Sequence, residues 1–288
     1  PGLRARVRAD GVYVISGGLG ALGLAVAQWL AQRGAGGVML IGRSEPSATA
    51  QQILREIEAA GTRVLTAACL AATALAATAQ DQADQSANRL VTVKIVGFND
   101  FHGTLDPPTG ANGRIGAITA GGAEVFAAHA ARLRAENPHT IMVSAGDNIG
   151  ASSLLSGMFH DEPTVESLGE AGLQLSTVGN RAFAAGWDEL VRMQRGGCHP
   201  VDGCQDDTPF AGARYQYLSA NVMVDPSRLD PGRLRRSGWK PPGTGPPTLF
   251  PGTAVREVGG VKVGFIGLAL TSTPTLVQPM MLQGLTFR

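Results

Sequence analysis

Aromatic residues are scarce in this 288-residue chain: nine Phe, three Tyr and three Trp. Charge is also in short supply. Charged residues make up 16%, and 24 Lys and Arg against 23 Asp and Glu leave a net charge of +1. Without a dense basic run or stacking platforms, a nucleic-acid surface is excluded, and a polyanionic partner finds nothing to hold. Long apolar runs are missing too. The most apolar stretch, between Leu65 and Ala79, is too short to cross a bilayer, so no stable membrane span is expected. What remains is a 44% hydrophobic chain, enough for one large or two ordinary globular domains.

Cysteine is the last scarcity, with Cys69, Cys198 and Cys204 alone. Cys198 and Cys204 close a small polar loop, Cys198-His-Pro-Val-Asp-Gly-Cys204, which suits a disulfide in an oxidising compartment. A Cys/His metal site in the same loop lacks a fourth ligand. Cys69 lies in an apolar run and reads as unpaired.

The first sixty residues carry a nucleotide-binding pattern. An apolar run, Gly11-Val-Tyr-Val-Ile-Ser16, leads into Gly17-Gly-Leu-Gly-Ala-Leu-Gly23, then into a helix-period segment with Leu24, Val26, Ala27 and Leu30 apolar. Strand, glycine turn and helix in that order can cradle a pyrophosphate at a helix N-terminus, through Gly17, Gly18, Gly20 and Gly23. The same glycines also serve simply to turn a strand into a helix. A second strand, Val38-Met-Leu-Ile41, ends in Gly42-Arg43-Ser44, where Arg43 can pair with a ribose 2′-phosphate and so points to NADP. A second helix over 48–60 ends at Gly61.

Between 62 and 91 the chain changes character, although Val64 to Ala68 can still form a third strand of the nucleotide-binding unit. One basic residue, Arg63, precedes about fifteen small or apolar residues and Ala77-Thr-Ala79, the order of a secretory leader with an Ala-x-Ala cleavage site. An Ala-rich helix is the competing reading. Asp81 to Asn88 is polar, as a spacer after a cleavage site would be. A leader sixty residues into a chain implies that two unrelated segments have been joined.

From residue 92 onward, three strands end in metal-type ligands. Val93 to Phe98 ends in Asn99-Asp100-Phe101-His102, Thr140 to Ala145 in Gly146-Asp147-Asn148, and Leu173 to Val178 in Gly179-Asn180. Asp100 and His102 stand two apart, so on an extended backbone both leave one face. Helix-period segments over 122–133 and 164–171 separate the strands. A β-α-β-α-β order brings all three ends to one sheet edge, where open α/β sheets place their sites. Carboxylate, imidazole and amide oxygen together suit Mn, Zn, Fe or Mg.

Two resemblances follow from these residues. Ser16 to Gly23 with Gly42-Arg43-Ser44 resembles the ketoreductase domains of polyketide synthases over about residues 10–64. The resemblance implies an NADP site, but the Ser, Tyr and Lys of reductase chemistry have no counterpart downstream. Asn99-Asp100-Phe101-His102-Gly103, Ser144 to Ser152 and Val178-Gly179-Asn180 resemble the metallophosphatase domain of bacterial 5′-nucleotidases, with likeness continuing through Tyr217 to Val222 and Val261 to Leu268. By position, Asp100, His102 and Asp147 would hold a first metal, and Asp147 with Asn180 a second. Two ions about 3.5 to 4 Å apart suit phosphoester hydrolysis.

The departures from that family are specific. Its third block runs Gly-Asn-His-Glu-Phe-Asp, whereas Gly179-Asn180-Arg181-Ala182-Phe183-Ala184 stands here, so the catalytic His and Asp positions hold Arg181 and Ala184. Its later Gly-His-x-His ligands have no counterpart before Arg288. Arg181 can hold a phosphate beside the metals or repel a second cation.

The expectation is therefore an α/β chain in three parts. Residues 1–64 form a partial Rossmann-like βαβα unit, 65–91 a leader-like run and linker, and 92–288 an incomplete metallophosphatase sandwich. The expected function is metal-dependent hydrolysis of a small phosphate ester or nucleotide, impaired by Arg181 and Ala184. Alternatives are an NADP-binding ketoreductase fragment or a non-catalytic fusion. The C-terminal part is expected in the periplasm or secreted, and in the cytoplasm if the internal leader is not used.

Overall fold

The computed structural model describes residues 7–16, 19–42, 45–68, 91–242 and 247–288. The N-terminal part alternates strand and helix: β1 (Val12–Ser16), α1 (Ala21–Gln32), β2 (Gly37–Gly42), α2 (Ala48–Ala59) and β3 (Arg63–Ala68). Beyond the linker come β4 (Lys94–Phe98), β5 (Arg114–Ile115), β6 (Ile118–Thr119), α3 (Gly122–Glu136), β7 (Thr140–Ser144), α4 (Leu154–Gly157), α5 (Glu162–Glu170) and β8 (Leu175–Thr177). The chain then forms α6 (Trp187–Arg195), β9 (Gln216–Leu218), β10 (Val222–Val224), α7 (Pro231–Ser237), β11 (Thr253–Val258), β12 (Val261–Ile266) and β13 (Leu285–Phe287).

Two larger sheets carry the molecule. The first, in the order β4-β7-β8-β9, is parallel throughout, with Phe98 opposite Ser144 and Ser144 opposite Ser176. Parallel pairing requires crossovers, and the helical segments supply them. All five residues of β7 are buried, as expected of a parallel strand covered on both faces. The strand ends that carry Asp100, Asp147 and Asn180 consequently lie side by side.

The second sheet runs β11-β12-β1-β2-β3. β11 and β12 form an antiparallel hairpin closed by Gly259 and Gly260, whose φ values of 57° and 81° fit a turn that matches strand twist. β12 then pairs in parallel with β1, Val12 opposite Val263 and Ile15 opposite Ile266. The N-terminal strands thus complete a sheet begun by the far end of the chain. Sequence pattern places the two parts in separate units; the structure joins them through one ladder.

Strand alternation explains why the joint holds. Val14 and Ile41 point between the sheets, against Ile141, Val143, Leu175, Leu218 and Phe265. Ile15, Val38 and Leu40 pack with Leu24, Ala27, Leu30, Leu54 and Ile57 of α1 and α2. Ser47 caps α2 by accepting from the Ala50 N–H at 3.2 Å. On the opposite side Met142, Val165, Leu168, Trp187, Leu190 and Tyr217 form the largest core. The layers are therefore helix, sheet, sheet, helix, a mixed α/β architecture.

Some boundaries move. β3 continues to Ala68, so the start of the leader-like run is a strand paired with β2, Leu65 standing opposite Met39. α3 extends to Glu136, and α5 begins at Glu162 with Pro163 in its first turn. Cys69, the Ala77-Thr-Ala79 motif and the polar spacer lie outside the described residues, as do Gly17, Gly18 and Arg43.

Candidate metal centre

The loops after β4 and β7 are zipped together by backbone hydrogen bonds that continue beyond the strands. Asp100 N–H donates to the Gly146 carbonyl at 3.0 Å, His102 N–H to the Asp147 carbonyl at 3.1 Å, and Gly103 N–H to the Asn148 carbonyl at 3.0 Å. The two loops therefore move as one piece. The loop after β8 joins them by close approach. A Cβ on Gly179 would stand 2.0 Å from Asp147 Oδ1, so only glycine lets that carboxylate lie across the third strand end.

Asp100, His102 and Asp147 each present a ligand atom, all within 4.8 Å of one another. The convergence does not come from an extended backbone. Asp100, His102 and Asp147 have φ of 54°, 48° and 51°, the left-handed region, so turns rather than strand alternation aim the side chains. Non-glycine residues held there cost about 1 to 3 kcal/mol each, and such strain gathers where geometry serves a site.

His102 is fixed by its second nitrogen. Nδ1 lies 2.7 Å from the Gly150 carbonyl, and because a carbonyl only accepts, Nδ1 carries the proton. In that tautomer of the neutral ring Nε2 keeps the lone pair, 3.6 Å from Asp100 Oδ1. A metal-binding imidazole uses this arrangement. Gly150 is itself held, its N–H donating to Asp161 Oδ2 at 3.1 Å, while Ser156 Oγ donates to Asp161 Oδ1 at 2.6 Å. Gly150 lies in the Ser144 to Ser152 block but had no role assigned, and Asp161 carried no sequence signal, because their part depends on a carbonyl and a loop contact.

Asp147 is 8% exposed, and burial pushes its carboxyl above the usual range. The Arg181 N–H, donating to Oδ1 at 2.7 Å, and the nearby His102 oppose that rise, while Asp100 adds to it. Two carboxylates and an imidazole this close could hold a cation. Behind them Asn148 is buried, accepting from Ser144 Oγ at 2.7 Å and donating to Ser176 Oγ at 3.0 Å, which ties the second and third strands.

Asn180 lines the same cavity of about 440 Å³ as Asp100 and Asp147. Arg181 opens the short 3₁₀ turn Arg181–Phe183 and Ala184 follows it, both exposed, whereas Ala182 and Phe183 anchor the turn in the core. The cavity's other wall is N-terminal: Gly20, Ala21, Gly23, Glu45 and Ser47. The glycine turn and the metal-type edge therefore open onto one space. Cys198 and Cys204 form a disulfide, with a Cα–Cα distance of 4.4 Å.

Comparison with known proteins finds relatives for both parts. Residues 11–98 match the KR domain, so the match runs past residue 64 to the end of β4. An uncharacterized protein in the pqq-V 5′ region of Acinetobacter calcoaceticus is 38% identical over 183 residues, covering 59% of this chain and 80% of that protein. Endonuclease YhcR of Bacillus subtilis (strain 168) is 31% identical over 201 residues, covering 68% of this chain and 15% of that protein. Among solved structures, the 5′-nucleotidase precursor from Thermus thermophilus matches with a TM-score of 0.47 and 24% identity, covering 68% of this chain and 32% of that one. The chain thus spans most of the Acinetobacter protein and under a third of the other two.

Proposed function

The chain belongs to the same family as the Acinetobacter calcoaceticus protein, and from the donors at its sheet edge we propose that its C-terminal part is a metal-dependent phosphoester hydrolase of 5′-nucleotidase type with impaired turnover. One observation carries this reading: Asp100, His102 and Asp147 bring two carboxylates and a pre-oriented imidazole within 4.8 Å. Such a donor set fits a hard or borderline divalent ion, Mn, Zn, Mg or Fe. The activity in the name of the Bacillus relative, an endonuclease, is also phosphoester chemistry.

A divalent ion bound there would supply Lewis acidity toward a phosphoryl oxygen. The chain's own residues do the rest. His102 presents Nε2 because Gly150 holds Nδ1, Asp147 brings a buried negative charge, and Asn180 stands beside them for a second ion. The impairment lies at Arg181 and Ala184. Neither offers a group that can give a proton to the leaving oxygen at neutral pH, and the lack of a general acid costs about 10² to 10⁴ in rate.

The substrate class is a small phosphate ester or nucleotide, which the 440 Å³ cavity admits. The disulfide supports a periplasmic or secreted setting. Among the described residues no helix is long and apolar enough to cross a membrane. A KR match in front of this part supports a chain joined from two lineages.

The test uses the whole oxidised chain, stripped with chelator and titrated with Mn²⁺ while AMP and p-nitrophenyl phosphate hydrolysis are followed. Saturable Mn²⁺ uptake, of which one equivalent is lost with Asp147→Asn, with slow hydrolysis supports the reading. Absence of uptake by the wild-type chain contradicts it. A second reading, NADP on the glycine turn, is favoured by Gly20 and Gly23 lining the cavity; fluorescence titration with NADPH decides it, and an unchanged emission counts against it.

A further inference from the structure

Away from the metal-type edge, three segments bring a second set of donors together. His160, in the turn between α4 and α5, and His199, in the disulfide loop, stack face to face, with centroids 3.7 Å apart and planes 9° from parallel. Both turn a nitrogen to one carboxylate oxygen. Asp202 Oδ2 lies 2.9 Å from His160 Nε2 and 3.1 Å from His199 Nδ1. The two rings are only partly exposed, at 26% and 17%, and Asp202 is open to solvent at 55%.

The contacts around His199 Nδ1 cannot all be satisfied in either protonation state of the ring. The Asp202 N–H points at Nδ1 from 3.2 Å, which asks it to accept, while Oδ2 at 3.1 Å asks it to donate. As an acceptor, Nδ1 opposes the carboxylate oxygen lone pair to lone pair. A cation among the three donors removes that opposition. Protonating both stacked rings instead would place two positive charges face to face.

The segment is built to keep these donors in place. The Cys198–Cys204 disulfide closes the loop, and reciprocal backbone hydrogen bonds between His199 and Gly203, both 3.0 Å, brace its interior. His199 and Asp202 thus come from one closed turn. His160 and Asp161 are both left-handed, at φ 53° and 65°, and Asp161 is pinned by Ser156 and Gly150. Ordering entropy that binding would otherwise cost has largely been lost on folding.

We propose that His160 Nε2, His199 Nδ1 and the Asp202 carboxylate form a site for a divalent transition metal of the zinc type, separate from the Asp100, His102 and Asp147 edge. Two imidazoles and a carboxylate are a common zinc donor set, with water completing a tetrahedron at about 2.0 to 2.1 Å. Because an imidazole binds an ion in its own plane, the two rings must splay out of the stack seen here to share one ion. The site stands one residue from Asp161, and through Gly150 it reaches the hydrogen bond that orients His102.

Cobalt is the probe, because its visible absorption reports tetrahedral nitrogen and oxygen donors. The full oxidised chain carrying Asp147→Asn is stripped, titrated with Co²⁺ and compared with chains that also carry His160→Gln or His199→Gln. One saturable equivalent in Asp147→Asn, displaced by Zn²⁺ and lost with either histidine change, is expected. An Asp147→Asn chain that stays colourless overturns the site. Should a histidine variant fail to fold, carbethoxylation of the wild-type chain decides: Zn²⁺ is expected to slow modification of His160 and His199 more than tenfold, and equal rates with and without Zn²⁺ overturn the proposal. A wild-type chain that binds the same single equivalent as Asp147→Asn, and loses it with either histidine change, would support this site while counting against the hydrolase reading.

Discussion

The backbone N–H of Arg181 donates to Asp147 Oδ1 at 2.7 Å, so the residue that the 5′-nucleotidase resemblance sets against a histidine supports the buried carboxylate through its main chain. Its guanidinium, by contrast, is exposed. Replacing the Arg181 side chain therefore leaves this hydrogen bond in place, and the metal-type edge can be altered chemically without being dismantled.

Asp147 itself separates metal binding from folding. In the metal-free chain a buried carboxylate pushed above its usual range is a burden, so Asp147→Asn is expected to leave the metal-free melting temperature unchanged or slightly higher. With Mn²⁺ at about 100 times its dissociation constant for this edge, the wild-type chain should gain roughly 2.7 kcal/mol more than the variant. Scanning calorimetry with and without metal reads both effects. A metal-induced shift retained in the variant would place the ion elsewhere.

Ile41 tests the joint between the two parts of the chain. It is 2% exposed and packs between the sheets with Ile141, Val143 and Leu175, although it comes from the N-terminal segment. Ile41→Ala should destabilise the whole chain by about 2 to 5 kcal/mol. The decisive readout is hydrogen exchange in β7 and β8. Faster exchange there shows that the N-terminal strands support the sheet that carries Asp100 and Asp147, whereas an effect confined to β1 to β3 shows two independent units.

Tyr215 and Tyr217 set an alkaline limit. Their hydroxyls lie 3.0 Å apart, both rings are 2% exposed, and burial raises Tyr217 to about 12 and Tyr215 well above the usual value. A folded-state value above the unfolded one means that stability is complete below about pH 10 and is lost as pH rises through 12. For Tyr217 the difference amounts to on the order of 2 to 3 kcal/mol. Tyrosinate absorbance followed with circular dichroism should show these two ionising together with unfolding. Ionisation of all three tyrosines before any loss of structure contradicts this.

Much of the site could be read from residues close in sequence. Asp100, His102, Asp147 and Asn180 each follow an apolar run, and parallel strands bring such ends to one edge, so their meeting follows from local pattern and topology. The left-handed turns that aim them leave little trace in sequence, since Asp and His tolerate that conformation without demanding it. The pairing of β1 with β12 was hidden for a different reason. It joins residues from opposite ends of the chain, and the apolar pattern of Val12 to Ser16 fits a buried strand beside any parallel neighbour. The stack of His160 on His199 was likewise invisible, being a contact between a turn and a disulfide loop.

The hydrolase reading stands or falls on the two exposed positions of the third block. The full oxidised chain and its Arg181→His, Ala184→Asp double variant, both loaded with Mn²⁺, are compared for kcat on AMP and for bound metal. A rise of about 10² to 10⁴ in kcat with at least as much metal bound is the expected result. Equal, slow turnover in both chains at full metal occupancy would contradict the claim that these positions limit the chemistry.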